Sequence, residues 1–376
     1  MNSSSNPQAN PGPGPHPDPR ALTDRLQGAM LGAFIGDALG VGPHWYYDLT
    51  ALRRDHGDWI TDYTRPRHGR YHDGLAPGEL SQSGSIMLLL LRSLAECGGY
   101  DEEDFQRRMD DQLLPQLDGS PYAGPGGFTN QSIRDLYQAR VVEGRPWGQT
   151  GAWADTTEAA ERNVLLAARH AFEPDALAEM AARHCRLTQI DPAVVAHSTV
   201  LPLVISQLVA GTGMAGAVPR LRRLMERGQL ELPRHRWTGE PETDPGAVDT
   251  GFFDAVLVPA TAVGLATNPH VRIEPAWRIA QVHGLACAFH FVLPSAYYLA
   301  ARFSDDFEGA VLHAINGGGQ NMSRACLAGA LVGAQVGRSG IPSRLVGGLR
   351  DHDEILELIS QVAADAVGDT GGASAG

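Results

Sequence analysis

Glycine recurs at every fourth position through an apolar run near the start of the chain: Gly28, Gly32, Gly36 and Gly40 in "GAMLGAFIGDALG". A four-residue step places all four on one helix face. Each interior glycine costs a helix about 1 kcal/mol against alanine, so the stripe demands a packing reason. A face without side chains lets a second helix come nearer than the usual spacing of about 8–10 Å between axes. Near the other end, "GALVGAQVG" carries Gly329, Gly333 and Gly337. The two stripes predict that a helix over 21–39 packs glycine face to glycine face on a helix over 322–337, joining the ends of the chain. Such spacing also marks dimers of membrane helices, but Asp37 and the shortness of the run argue against that.

Helical periodicity dominates the rest of the sequence and strand-like alternation is scarce. The apolar spacing predicts helices over 21–39, 81–97, 101–117, 157–171, 174–186, 191–210, 252–265, 275–287, 294–302, 305–315, 322–337 and 353–366, hence an all-α fold. Asp101 before Phe105, Pro174 and Pro192 just inside helix starts, and Ser304 before "DDFEGAVLHAI" read as start signals. Ser304 at an N-cap, with Asp305 and Asp306 in a first turn, accounts for that acidic cluster without a metal. Long connections are expected at 48–80, 118–130, 143–154 and 230–250, the places where a helical scaffold builds sites. Residues 1–20 read as a disordered tail, 21–366 as one domain and 367–376 as a flexible tail.

Composition excludes some functions. Of 376 residues, 43% are hydrophobic and 19% charged, the balance of a soluble globular protein, and a net charge of −13 argues against nucleic-acid binding. No basic, apolar leader opens the chain, and no run reaches the roughly 18 uninterrupted apolar residues of a membrane span, so neither secretion nor a membrane partner is expected. Cys97, Cys185, Cys287 and Cys326 form no C-x-x-C pair and read as buried thiols of a reducing cytoplasm. His283 and His290, seven apart, suit one helix face but lack a third ligand for zinc.

Asp37 is the anomaly of the first stripe. A carboxylate near a helix C-terminus meets the negative end of the macrodipole, so a donor or positive group is expected beside it. It either accepts bonds from the loop that follows, "GVGPHWYYD", or stands at the mouth of a pocket. At the second stripe, "NGGGQNMSR" (316–324) puts three glycines before a helix start with Arg324 in its first turn, a potential anion site. Antiparallel packing of the stripes would bring both features to one end.

These segments resemble a known family. "GAMLGAFIGDALG" resembles the opening signature of the ADP-ribosylglycohydrolase superfamily, and "AINGGGQNMSRACLAGALVGAQVG" its closing one, in the same order. "GELSQSGSIMLLLLRSLAE" and "RLTQIDPAVVAHS" resemble intermediate pieces, so the likeness runs over about 21–350. "GPHWYYD" and "GGGQNMSRA" look most similar to the branch that includes the J crystallins. The resemblance implies an orthogonal all-α bundle and, in active members, two magnesium ions that help cleave ADP-ribose from a protein side chain. It also implies a Thr-Asp-Asp cluster early and an Asp-x-Asp-Thr cluster late as metal ligands. The matching positions here read Ser81, Gln82 and Ser83, then Gln320, Asn321, Met322 and Ser323.

Amides, hydroxyls and a thioether cannot neutralise paired dications, so no magnesium or other cofactor is expected. They can hold a polar ligand. The expected ligand set is Ser81, Gln82, Ser83, Gly318, Gly319, Gln320, Asn321, Ser323 and Arg324, with His44, Trp45, Tyr46 and Tyr47 as stacking or shaping groups. Three readings stay open at this level: a metal-free binder of ADP-ribose or a related nucleotide or glycoside, free or on an ADP-ribosylated protein; a glycosidic-bond hydrolase with Asp37 as base; and a crystallin-like structural or interaction protein.

Overall fold

The computed structural model describes residues 18–231 and 250–372. Sixteen α-helices run through those residues, with one isolated bridge, Ala152 to Gln189, as the single β-type pairing among them. They are α1 (Pro19–Val41), α2 (Leu49–His56), α3 (Gln82–Cys97), α4 (Glu102–Arg108), α5 (Gln131–Tyr137), α6 (Glu158–Arg169), α7 (Pro174–Arg186) and α8 (Pro192–Val209). The second half adds α9 (Gly213–Glu226), α10 (Thr250–Thr267), α11 (Ile279–His283), α12 (Phe289–Arg302), α13 (Phe307–Ile315), α14 (Asn321–Val336), α15 (Ser343–Gly348) and α16 (His352–Gly372).

The glycine stripes meet as the sequence predicts. A methyl group on Gly28 would overlap the Gly333 carbonyl, one on Gly32 the Gly329 carbonyl, one on Gly36 the Ala325 carbonyl, and one on Gly40 the Met322 backbone. The partner numbers fall as the α1 numbers rise, so α1 and α14 are antiparallel and in backbone contact. This pair, with α6 and α8, forms the centre of the molecule. Every residue of α6 is buried, as is α14 from Asn321 to Ala334. One contiguous apolar core extends from Leu22 to Ala366. α8 has the length and hydropathy of a membrane span, but 89% of it is buried inside this bundle, where an all-round apolar helix belongs.

Several expectations need correction. α13 is capped by Asp306, which accepts from Gly309 N at 2.8 Å, so Ser304 is not the cap although the acidic cluster is a capping one. The segment 101–117 is not one helix: α4 passes into a π-turn over Met109–Leu113 and a 3-10 turn over Leu114–Gln116, where Pro115 supplies no N–H. The helix foreseen over 275–287 stops at His283, because Gly284 sits at φ 128°. Pro294 lies inside α12 rather than at its start. His283 and His290 therefore stand on different helices and share no face. The connection expected over 48–80 contains α2, and α5 and α9 were absent from the periodic segments. Cys97 is exposed and Cys287 half-buried, so only Cys185 and Cys326 are buried thiols. The N-terminal tail reading reaches into Pro19 and Arg20, which already belong to α1, and its residues 1–17 lie outside the described ones. At the other end α16 continues through 367–372, where composition suggested a tail.

Candidate functional site

Antiparallel packing brings the C-terminal end of α1, the start of α14 and the start of α3 together. Asp37 is fully buried, and its two oxygens accept from Ser81 N at 2.9 Å and Ser81 Oγ at 2.5 Å. Ser81 is the N-cap of α3, its Oγ also accepting from Gly84 N. A side chain on Gly84 would overlap the Asp37 carboxyl, so this glycine is what lets a carboxylate sit on the amino end of α3. The positive partner demanded by Asp37 is thus the α3 dipole, not the loop after α1. Burial nonetheless pushes its pKa up to about 7, against the Ser81 hydrogen bonds.

The residues at the two cluster positions are all internal and bond mostly to neighbouring elements, although Asn321 Oδ1 has no partner among the described residues. Gln82 Nε2 donates to Thr129 Oγ1 at 2.8 Å, and its Oε1 accepts from Asn130 N at 3.1 Å; Ser83 Oγ accepts from Asn130 Nδ2. These bonds tie α3 to the 118–130 connection. Across the seam, Asn321 Nδ2 donates to the carbonyls of Gly40 and Ile315, and Gln320 bonds Ser323 Oγ at 2.8 Å and His44 Nε2 at 3.0 Å. Met322 packs on Gly40.

The glycine loop before α14 is not an open anion site. Gly318 and Gly319 take φ of 72° and 59°, the left-handed turn that exposes N–H groups, yet Gly319 N donates to the Tyr46 carbonyl and Gln320 N to the Leu285 carbonyl. Arg324 is buried with its guanidinium on the Ala314 and Gly318 carbonyls, where it holds the loop closed; burial pulls its pKa down to about 9. Tyr46 is likewise spoken for: its hydroxyl donates to Asp55 Oδ2, and the Arg70 guanidinium lies 3.5 Å over its ring.

Trp45 is different. It adopts φ 114°, costly for a bulky residue, and stacks parallel on His44 with ring centres 5.5 Å apart. Tyr71 and Phe128 meet it edge-on at 4.8 and 6.0 Å, and Tyr47 lies 6.2 Å away. Through Phe128 this cluster reaches Tyr122, which is 74% exposed, while Tyr47 is 55% exposed. An aromatic rim therefore rises from the buried His44–Gln320 layer to the surface.

Sequence reading overlooked three members of the site. Glu161 is fully buried on α6, with Thr157 Oγ1 donating to Oε1 and the Ser83 and Ser323 hydroxyls beside it, so it lies between the two cluster positions. Burial raises its pKa, and raises that of Glu158 to about 7 with help from the Glu161 charge. Three polar residues in succession along an otherwise apolar helix, Glu161 to Asn163, with Glu158 one turn earlier, were the available signal, but Glu158 and Arg162 at i, i+4 look like an ordinary surface pair. His72, from the long 57–80 connection, bonds His44 at 2.7 Å and the Gly126 carbonyl at 2.5 Å.

Comparison with known proteins agrees with this architecture. A protein of Archaeoglobus fulgidus named as uncharacterized is 23% identical over 342 residues, covering 91% of this chain and 96% of its own length. The solved structure of an ADP-ribosylglycohydrolase-related protein complex superposes with a TM-score of 0.57 at 20% identity, over 92% of this chain and 99% of that one, a likeness of fold. The family profile described as ADP-ribosylglycohydrolase matches residues 18–371, and the chain belongs to that family.

Proposed function

We propose that this family member binds ADP-ribose or a closely related nucleotide glycoside, free or carried on a protein, through the aromatic rim and without a pair of magnesium ions. The observation that carries the reading is the stacked Trp45, flanked by Tyr47, Tyr71 and Phe128, directly above a layer of neutral amides and hydroxyls. Aromatic faces stack on a base or sugar at about 1–3 kcal/mol per base. The donors at the cluster positions do not fit two magnesium ions: Ser81, Gln82 and Gln320 already spend their polar atoms on protein partners, Asn321 leaves a single buried amide oxygen unpaired, and none brings negative charge. Asp37, held by Ser81 on both oxygens, serves as the anchor of α3 and not as a base toward substrate.

Calorimetric titration with ADP-ribose, once with magnesium and once with chelator, tests this. The same affinity in both, weakened about 10–100-fold in Trp45→Ala, is the expected result. Binding that needs magnesium, or uptake of two magnesium ions per chain by the free protein, overturns it.

A further inference from the structure

Beneath the rim four connections are held by one file of hydrogen bonds: Gly126 carbonyl, His72, His44, Gln320, Ser323. All four side chains are at most 5% exposed, so each is expected to find its partners inside the protein. The protons can therefore be counted. A carbonyl only accepts, so His72 Nδ1 carries the hydrogen bonded to Gly126, and a neutral His72 has a bare Nε2. His44 Nδ1 stands 2.7 Å from it and must donate, because two lone pairs cannot share that distance. His44 Nε2 is then bare and must accept from Gln320.

The two ends of the Gln320 amide are equal in shape, and they decide the count. With Oε1 toward His44, the His44–His72 contact closes only with one extra proton, as a buried monocation. With the amide turned over, Nε2 donates to His44, Ser323 donates to Oε1, and every contact closes with both rings neutral. We infer that the file runs in this second direction, and that Gln320 is the positioning residue that keeps the His44–His72 pair uncharged beneath the rim.

Two further observations agree. Burial presses both histidines toward the neutral form, and the Arg70 charge beside His44 acts in the same sense. At the far end Ser323 also faces Glu161, and a hydroxyl whose proton goes to Gln320 can only accept from Glu161, in the protonated form that burial favours. The Glu161 charge raises the pKa of its neighbours Asp37 and Glu158, while the Ser323, Thr157 and Ser83 hydroxyls and the Arg162 charge favour its own ionised form against burial. A carboxylate at position 320 could only accept; it would compel His44 Nε2 to donate and the pair to take up the extra proton.

Long-range proton–nitrogen correlation spectra of the full chain labelled with 15N-histidine test the inference, His72→Asn assigning the pair. At pH 8 both rings are expected as neutral Nδ1–H tautomers; an Nε2–H tautomer at His44, or an imidazolium, overturns the proposal. In folded Gln320→Glu the pH of half-protonation of the pair is expected to rise by about 1–3 units. An unchanged value overturns the assignment of Gln320. Should that variant not fold, the wild-type tautomers alone decide.

Discussion

Asp37 concentrates the cost of this architecture in one side chain. It is ordinarily a carboxylate at neutral pH, but burial moves its pKa from 3.8 to about 7. The folded state then binds its proton more tightly than the unfolded state, so the stabilisation is full below about pH 4 and is lost as pH rises to about 7. Asparagine keeps one acceptor for Ser81, reverses the other contact by donating to it, and does not titrate. Urea unfolding of Asp37→Asn against wild type should show the variant gaining on the order of 4 kcal/mol relative to wild type between pH 4 and 7. A pH-independent difference would mean that Asp37 stays ionised on the α3 dipole. The oddity of this carboxylate was visible in the sequence; its partner was not, because Ser81 lies 44 residues away.

Between elements, the glycine seam was the most legible feature, since a four-residue step of the smallest residue has few explanations. Gly32→Val should destabilise the chain by at least about 1–3 kcal/mol in denaturant unfolding, as the new side chain meets the Gly329 carbonyl. The same substitution at Gly347, where nothing lies within 4 Å, is the control. Gln82 makes a second prediction. Its amide alone bridges α3 to both Thr129 and Asn130. Gln82→Ala should cost about 1–3 kcal/mol and speed proteolytic cleavage within 118–130, read by mass spectrometry of the first fragments. Less legible were the short helices α2, α5 and α15, which lack a long apolar period, the longer α9, and the break after His283, which a backbone angle at Gly284 decides. Within the site, the motif positions were readable, but His72 sits in a connection without periodicity and Glu161 was masked by an apparent surface pair. The anion site foreseen at 316–324 is not open, for a reason no linear pattern carries: the Gly319 and Gln320 N–H groups meet the Tyr46 and Leu285 carbonyls.

For the molecule as a whole, a framework that matches a glycohydrolase family from residue 18 to 371 encloses a centre of amides and hydroxyls with three protonatable carboxyls. If no paired dications bind there, chelator should leave the melting temperature unchanged, and added magnesium should not raise it beyond the effect of matched ionic strength, in differential scanning fluorimetry. A magnesium-dependent rise that saturates would contradict this. The seam between α1 and α14 also sets a timetable. α1 leaves the ribosome before α14, and the backbone that covers its bare glycine face is made about 300 residues later. At about 5–20 residues per second that is a wait of roughly 15–60 seconds. A newborn chain must shelter an apolar segment through the synthesis of everything between α1 and α14, which makes early chaperone capture of α1, and sensitivity to premature termination, direct corollaries of how these two helices are joined.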